Sequence, residues 1–324
     1  MNHPKRALVL GIGGQDAAYL TKLLLSKGYA VVGTSRDATL ANRANLSRLG
    51  IESSVQIVSM ALTDFRSVLQ TIKRHAPDEI YHLAGQTSVG LSFEQPVETI
   101  ESIAIGTLNV LEAIRFVNPE IRLFNAGSSE CFGDTGTARA SEQTPFRPLS
   151  PYAVAKVTAQ NLVTNYRIAY GLYACTGVLF NHESPLRPDR FVTQKIIRGA
   201  HAVAIGKTKQ LSLGNLDISR DWGWAPEYVT VMVKMLAPAQ PTDLVIATGR
   251  SVSLSYFVER AFRNFDLDWR EFVRVDDALR RPSDIHYGAG DPSLAKQVLG
   301  WSAQFDVDYV VDQMCAAVVR SAAS

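Results

Sequence analysis

A chain of 324 residues with 46% hydrophobic and 20% charged residues has the composition of a soluble globular protein long enough to bury an extended core. Its net charge of +2 is spread without runs of like sign, which argues against nucleic acid or an anionic membrane as a partner. Cys131, Cys175 and Cys315 are odd in number, far apart and without metal-ligand spacing. Neither a disulfide framework nor a metal site is expected, and a reducing cytoplasm fits.

The first stretch, MNHPKRALVLGIGG, starts basic, but its apolar run is short and ends in glycines, the pattern of a first strand rather than a signal peptide. No apolar run approaches the ~20 residues needed to span a bilayer. Continuous apolar runs over 7–10, 30–34, 55–59, 79–83, 122–126 and 174–179 predict strands buried on both faces. Amphipathic stretches over 15–27, 65–75, 97–116 and 154–170 predict helices between them. Strands and helices in alternation imply parallel pairing through right-handed crossovers, hence an α/β fold of the Rossmann type, a doubly wound parallel sheet. After LFNHESPLRP the alternation breaks, and a run over 244–248 is expected to add one more strand. The expected division is a dinucleotide-binding domain over 1–181 with 215–249, and a smaller C-terminal substrate-binding domain over 182–214 with 250–324. The smaller domain would cap the carboxyl ends of the strands, where ligands bind in such sheets.

VLGIGGQDAAYL follows the first predicted strand and opens the first helix. Gly11, Gly14 and Ala17 give a G-x-x-G-x-x-A spacing, with Gly13 as an extra glycine. Such a turn lets the backbone approach a pyrophosphate, which the helix N-terminus then holds. Past the second strand, Arg36 is followed directly by Asp37. An arginine there accommodates a 2′-phosphate and an acidic residue holds a ribose hydroxyl, so the two signals compete. Arg36 comes first and favours NADP, with NAD as the alternative. In NAGSSECFG, Ser128 and Glu130 follow the fifth strand. In LSPYAVAK, Tyr152 and Lys156 stand one helical turn apart on a helix that Pro151 helps to start. An ammonium beside a phenol favours the phenolate, which would make Tyr152 a usable general base.

The stretches GQDAAYL, EIYHLAGQTSV, SSECFG, TPFRPLSPYAVAK, NYRIAYGL, LFNHESPLR, FVTQKI, LGNLDISRDWG, VIATG and RPSDI run from residue 11 to beyond 280. Together they resemble the extended short-chain dehydrogenase/reductase family, in its GDP-mannose 4,6-dehydratase branch. The resemblance implies a lyase that removes water from a GDP-sugar by moving a hydride from C4 to C6 through a tightly held nicotinamide cofactor. It implies Tyr152 as the base for the C4 hydroxyl, Lys156 as its activator, Ser128 as the donor to O4, and Glu130 as the group that takes the C5 proton and helps expel the C6 hydroxyl. Gly11, Gly14, Gln15, Asp16, Arg36, Leu83, Gln86, Thr87, His182 and Arg187 match positions that hold the cofactor. Asn181, Lys195, Arg220, Arg281 and Asp284 match positions that hold the sugar nucleotide, and Glu183 is either structural or a guanine contact. A homodimer or homotetramer is implied.

The chain departs from the branch's usual pattern in the cofactor's adenosine half. Gly13 stands for a threonine, Asp37 for a second arginine, and Ala61 for an acidic residue. Ser128 and Asp284 replace a threonine and a glutamate conservatively. A dehydratase for another GDP-sugar such as a heptose is the near alternative. A related 4-keto-reductase or C4-epimerase has no need of Glu130, and a non-catalytic dinucleotide sensor would need neither Glu130 nor the Tyr-Lys pair.

Overall fold

The computed structural model describes residues 3–279 and 283–323. The predicted apolar runs form β1 (Arg6–Leu10), β2 (Ala30–Ser35), β3 (Gln56–Ser59), β4 (Glu79–His82), β5 (Arg122–Ala126) and β6 (Ala174–Leu179). Each pairs with its neighbour in parallel, in the order β3-β2-β1-β4-β5-β6, and Leu244–Ile246 completes a seven-stranded sheet beside β6. Every residue of β4 and β6 is buried, the signature of strands covered on both faces. Leu8, Leu10, Ile80, Leu111, Ile114 and Leu123 are fully or almost fully excluded from water in this core. Each such side chain contributes about 1.5–3 kcal/mol by burial.

Strand order reverses between β1 and β4. Their carboxyl ends therefore form the topological switch point at which doubly wound sheets bind ligands.

Local signals set the helix ends. Helix α1 (Gln15–Ser26) starts straight after the glycine turn. The helix Phe65–His75 is capped by the Asp64 carboxylate, which accepts from the Arg66 N–H at 2.9 Å. The helix expected over 97–116 is not uniform. It comprises Pro96–Ile100, a wider π-turn over Glu101–Ile105, and Gly106–Val117. At the π-turn the Ser102 hydroxyl accepts from the Gln86 N–H at 3.3 Å, tying the helix to the loop after β4. Hydrophobic periodicity does not reveal such a change of pitch, because the same apolar residues remain on the inner face.

The chain forms two compact units. One comprises the residues up to Cys131, Pro148–Leu179 and Tyr228–Leu244, and contains β1 to β6. The other comprises Phe132–Arg147, Phe180–Glu227 and the residues from Val245 onward. Its sheet has Ser219–Trp224 at the centre, parallel to Asn181–Glu183 and antiparallel to Ser251–Ser253. Ile196, Ile197, Trp222, Phe257, Phe262 and Val310 form its core. Asp221 is wholly buried there and accepts from the Thr248 N–H and hydroxyl and from the Gly249 N–H. Burial pushes its pKa up to about 6, against those hydrogen bonds. Among the described residues no helix is long and apolar enough to cross a membrane, and no cluster of His, Cys, Asp and Glu could hold a metal ion.

Candidate active site

At the switch point, β1 runs into the turn 11–14. Gly11 adopts φ +82°, and a Cβ there would meet the Ala84 Cα at 2.9 Å. A glycine is required twice over, for the left-handed backbone and for the close approach of the chain after β4. The Gly14 N–H bonds back to the Gly11 carbonyl at 3.0 Å, and Gly14 caps α1 without any side-chain hydrogen bond. The first N–H groups of α1 are therefore not taken by a capping side chain, which suits an anion. Replacing Gly11 by alanine is expected to cost on the order of 1–3 kcal/mol of unfolding free energy through backbone strain. Denaturant titration measures this, and an unchanged midpoint would show that the turn adapts.

Around this cradle lie Gln15, which is buried and donates to the Asp16 carboxylate at 3.0 Å, and the loop Leu83, Gln86 and Thr87 after β4. The Gln86 amide donates to the Ser88 carbonyl and the Thr99 hydroxyl, and its oxygen accepts from the Ser88 N–H. Gln86 thus fixes the shape of that loop. Arg36 and Asp37 follow β2, whose end lies beside the glycine turn through the pairing of Leu10 with Thr34.

The second part of the site is built by β5 and the helix Pro151–Tyr170. Ser150 caps that helix, its hydroxyl accepting from the Ala153 N–H at 3.1 Å. Pro151 occupies the first turn, and Gly171 at φ +70° ends it. This places Tyr152 and Lys156 on the buried face. The Lys156 ammonium donates to the Ala126 carbonyl at 2.7 Å, and Ala126 is the last residue of β5. That bond holds the Tyr-Lys helix against the strand end from which Gly127, Ser128 and the 3₁₀ turn Ser129–Phe132 emerge. Gly127 has no room for a side chain, since a Cβ would meet the Thr176 Cγ2 at 2.7 Å. Ser128 is buried, and its hydroxyl accepts from the Glu130 N–H at 3.3 Å.

Lys156 Nζ lies 5.9 Å from the Tyr152 ring centroid. Burial lowers the Lys156 pKa to about 8, with Cys131 and Asp16 opposing the shift. The Cys131 thiol is pushed up to about 12 by its own burial, so it is a neutral packing group rather than a nucleophile.

Sequence reasoning passed over His82, the last residue of β4 and the register partner of Asn125 on β5. It is buried, its Nδ1 has no hydrogen-bond partner, and burial, reinforced by the Lys156 charge, lowers its pKa to about 3. The imidazole is therefore neutral and adds no second positive charge next to Lys156. The signal that could have found it is a histidine at the carboxyl end of a central strand, in EIYH.

The remaining candidates lie in the second unit. The His182 Nδ1 is 2.7 Å from the Phe180 carbonyl, which can only accept, so the proton is on Nδ1. Glu183 is buried, accepts from the Thr193 hydroxyl at 2.8 Å and pairs with Arg187 at 3.1 Å. Arg187 also stacks 3.7 Å over the Phe191 ring. Arg220 donates to the Ser219 and Ile285 carbonyls and to the Asp284 carboxylate at 3.1 Å, so these two candidates are each other's partners. Asn181 is half-buried and Lys195 exposed on the helix Val192–Ala204. Arg281 lies outside the described residues.

The candidate residues thus comprise a glycine-turn cradle after β1, a hydroxyl and a carboxylate after β5, and a phenol and a buried ammonium on the helix tied to the end of β5. Comparison with known proteins places both the fold and the sequence. Over 98% of its length the chain superposes on UDP-glucose 4-epimerase from Thermotoga maritima (TM-score 0.86, 18% identity, 99% of that chain). It superposes equally widely on a Streptomyces venezuelae dTDP-glucose 4,6-dehydratase (TM-score 0.87, 19% identity, 98% of that chain). At those identities the likeness carries the fold alone. In sequence, GDP-mannose 4,6 dehydratase 2 of Arabidopsis thaliana is 41% identical over 96% of this chain and 86% of its own. GDP-mannose 4,6-dehydratase of Vibrio cholerae serotype O1 is 39% identical over 99% and 95%. The family described as GDP-mannose 4,6 dehydratase matches residues 8–314. With a match that spans both units, the chain belongs to the GDP-mannose 4,6-dehydratase family.

Proposed function

We propose that this protein converts GDP-mannose to GDP-4-keto-6-deoxymannose and water. The observation that carries the reading is the Lys156–Ala126 bond, which ties the helix bearing Tyr152 and Lys156 to the end of β5, the strand that leads into Ser128 and Glu130. The glycine cradle fits a nicotinamide dinucleotide, since Gly11 takes the left-handed backbone of a tight strand-to-helix turn and no side chain caps α1. Such a cofactor supplies a hydride acceptor for C4 and returns the hydride to C6, ending as it began. NADP is the proposed form, with Arg36 reading the 2′-phosphate and NAD as the alternative. Gly11, Gly14, Gln15, Asp16, Leu83, Gln86, Thr87, His182 and Arg187 serve this cofactor. Asn181, Lys195, Arg220, Arg281 and Asp284 serve the GDP-sugar.

The residues act in order. Ser128 donates to the sugar's O4 and orients it. Tyr152 takes the O4 proton, made easier by the Lys156 charge. The ketone formed at C4 acidifies the C5 hydrogen. Glu130 removes that proton and delivers it to the departing C6 hydroxyl, so water leaves. C5 is reprotonated as C6 gains its hydrogen, the O4 proton held by Tyr152 balances it, and no external reductant is consumed.

Lys156 sets a pH limit. Its pKa in the folded chain is lowered from 10.5 to about 8, so its charge is lost as pH rises through about 8. The rate of O4 deprotonation is therefore expected to fall above that pH. By linkage, burying the ammonium costs stability below about 8, and that cost disappears as pH rises towards 10.5. Single-turnover rates across this range test it, and a rate still climbing well above pH 8 would rule out Lys156 as the activating charge.

Apolar side chains exposed on neighbouring helices, Val97, Ile100 and Ile105 on one and Val154 on the other, support the homodimer or homotetramer implied by the resemblance. Three free, buried thiols suit a reducing compartment such as the cytoplasm. The substrate assignment is tested by mass spectrometry of products from a panel of GDP- and UDP-linked hexoses and heptoses. Loss of one water from GDP-mannose before the others supports it. Preferential turnover of another sugar replaces it.

A further inference from the structure

The loop after β2 is folded onto the glycine turn. The Ile12 N–H donates to the Thr34 carbonyl at 3.0 Å, and the Asn45 amide donates to the Gly13 carbonyl at 3.1 Å. A Cβ on Gly13 would meet the Asn42 carbonyl oxygen at 2.9 Å, so the glycine at this position is what lets the loop close down. A dinucleotide whose pyrophosphate lies on α1 brings its adenosine ribose to the end of β2. There the chain presents Arg36, with its side chain 86% exposed.

That cation is flanked by two carboxylates. Asp37 is held within its own turn, accepting from the Thr39 N–H at 2.7 Å and the Thr39 hydroxyl at 2.6 Å, and these bonds keep its pKa low. Glu98, on the helix Pro96–Ile100, accepts directly from the Arg36 guanidinium at 3.3 Å. A 2′-phosphate would therefore have to take Arg36 from Glu98 and settle beside a carboxylate that repels it. The uncharged ribose hydroxyl of NAD meets no such competition.

We infer that Glu98 is a cofactor-specificity residue that weighs against the 2′-phosphate by occupying Arg36. The inference rests on the dinucleotide reading above and deepens it. It assigns to the facing helix a share of a selectivity otherwise sought only at Arg36 and Asp37.

The test is titration of the full-length protein, freed of co-purified nucleotide, with NADP+ and NAD+. Glu98→Gln keeps the shape and removes the charge. Its NADP+ affinity should rise about three- to fivefold, the range an exposed ion pair supports, while NAD+ affinity stays unchanged. In an Arg36→Ala background the same substitution should leave both affinities unchanged, because the group through which it acts is gone. Equal shifts for both cofactors, or no shift, overturn the inference while leaving the dinucleotide reading in place. Failure of the native protein to bind either dinucleotide overturns both.

Discussion

Glu130→Gln is expected to lower turnover of GDP-mannose by roughly 10²–10⁴, the usual worth of a positioned acid–base group. The amide matches the carboxylate in size, and the Glu130 backbone N–H still donates to the Ser128 hydroxyl, so the 3₁₀ turn is retained. What disappears is the only group proposed to take the C5 proton. The first half of the reaction needs only Tyr152, Lys156 and Ser128 and should still run. Stopped-flow absorbance should then show reduced nicotinamide building up and persisting. Near-normal turnover by this variant would remove Glu130 from the mechanism.

Tyr152→Phe should stop the reaction one step earlier, with a loss of similar or greater size. Tyr152 is packed against Ile103, Ala155 and Ala159, and phenylalanine preserves that packing, so stability should change by less than about 1.5 kcal/mol. No group remains to take the O4 proton, and reduced nicotinamide should never appear. The two variants thus differ in a spectroscopic signature that general damage to the site would not produce. Accumulation of reduced nicotinamide in Tyr152→Phe would identify another base.

The inner strands of the sheet were legible because they are buried on both faces, whereas the edge strand β3 has no buried residue. Parallel strands such as β6, with every residue buried, must be written as continuous apolar runs, and such runs stand out between amphipathic helices. The Tyr-Lys helix was legible because Ser150, Pro151 and Gly171 are local signals that act within one turn. The π-turn over Glu101–Ile105 was not legible, because it depends on the contact of Ser102 with a loop sixteen residues earlier.

Side-chain partners were the least legible part of the site. Sequence placed Arg220 and Asp284 as separate ligand contacts. The structure pairs them across 64 positions of chain. Arg36 and Glu98, and the burial of His82 near Lys156, likewise arise only when distant segments meet. Motif reading names the residues that carry the chemistry. The neighbours that set their charge and availability come from the fold.

In the proposed reaction one hydrogen moves internally from C4 to C6 of the same sugar. GDP-mannose carrying deuterium at C4, incubated with the native protein without added reductant, tests it most directly by mass spectrometry and NMR of the product. One water should be lost, with the deuterium retained on C6 of the 4-keto product. A dehydrated product lacking the label at C6, or recovery of the sugar without loss of water, would contradict it.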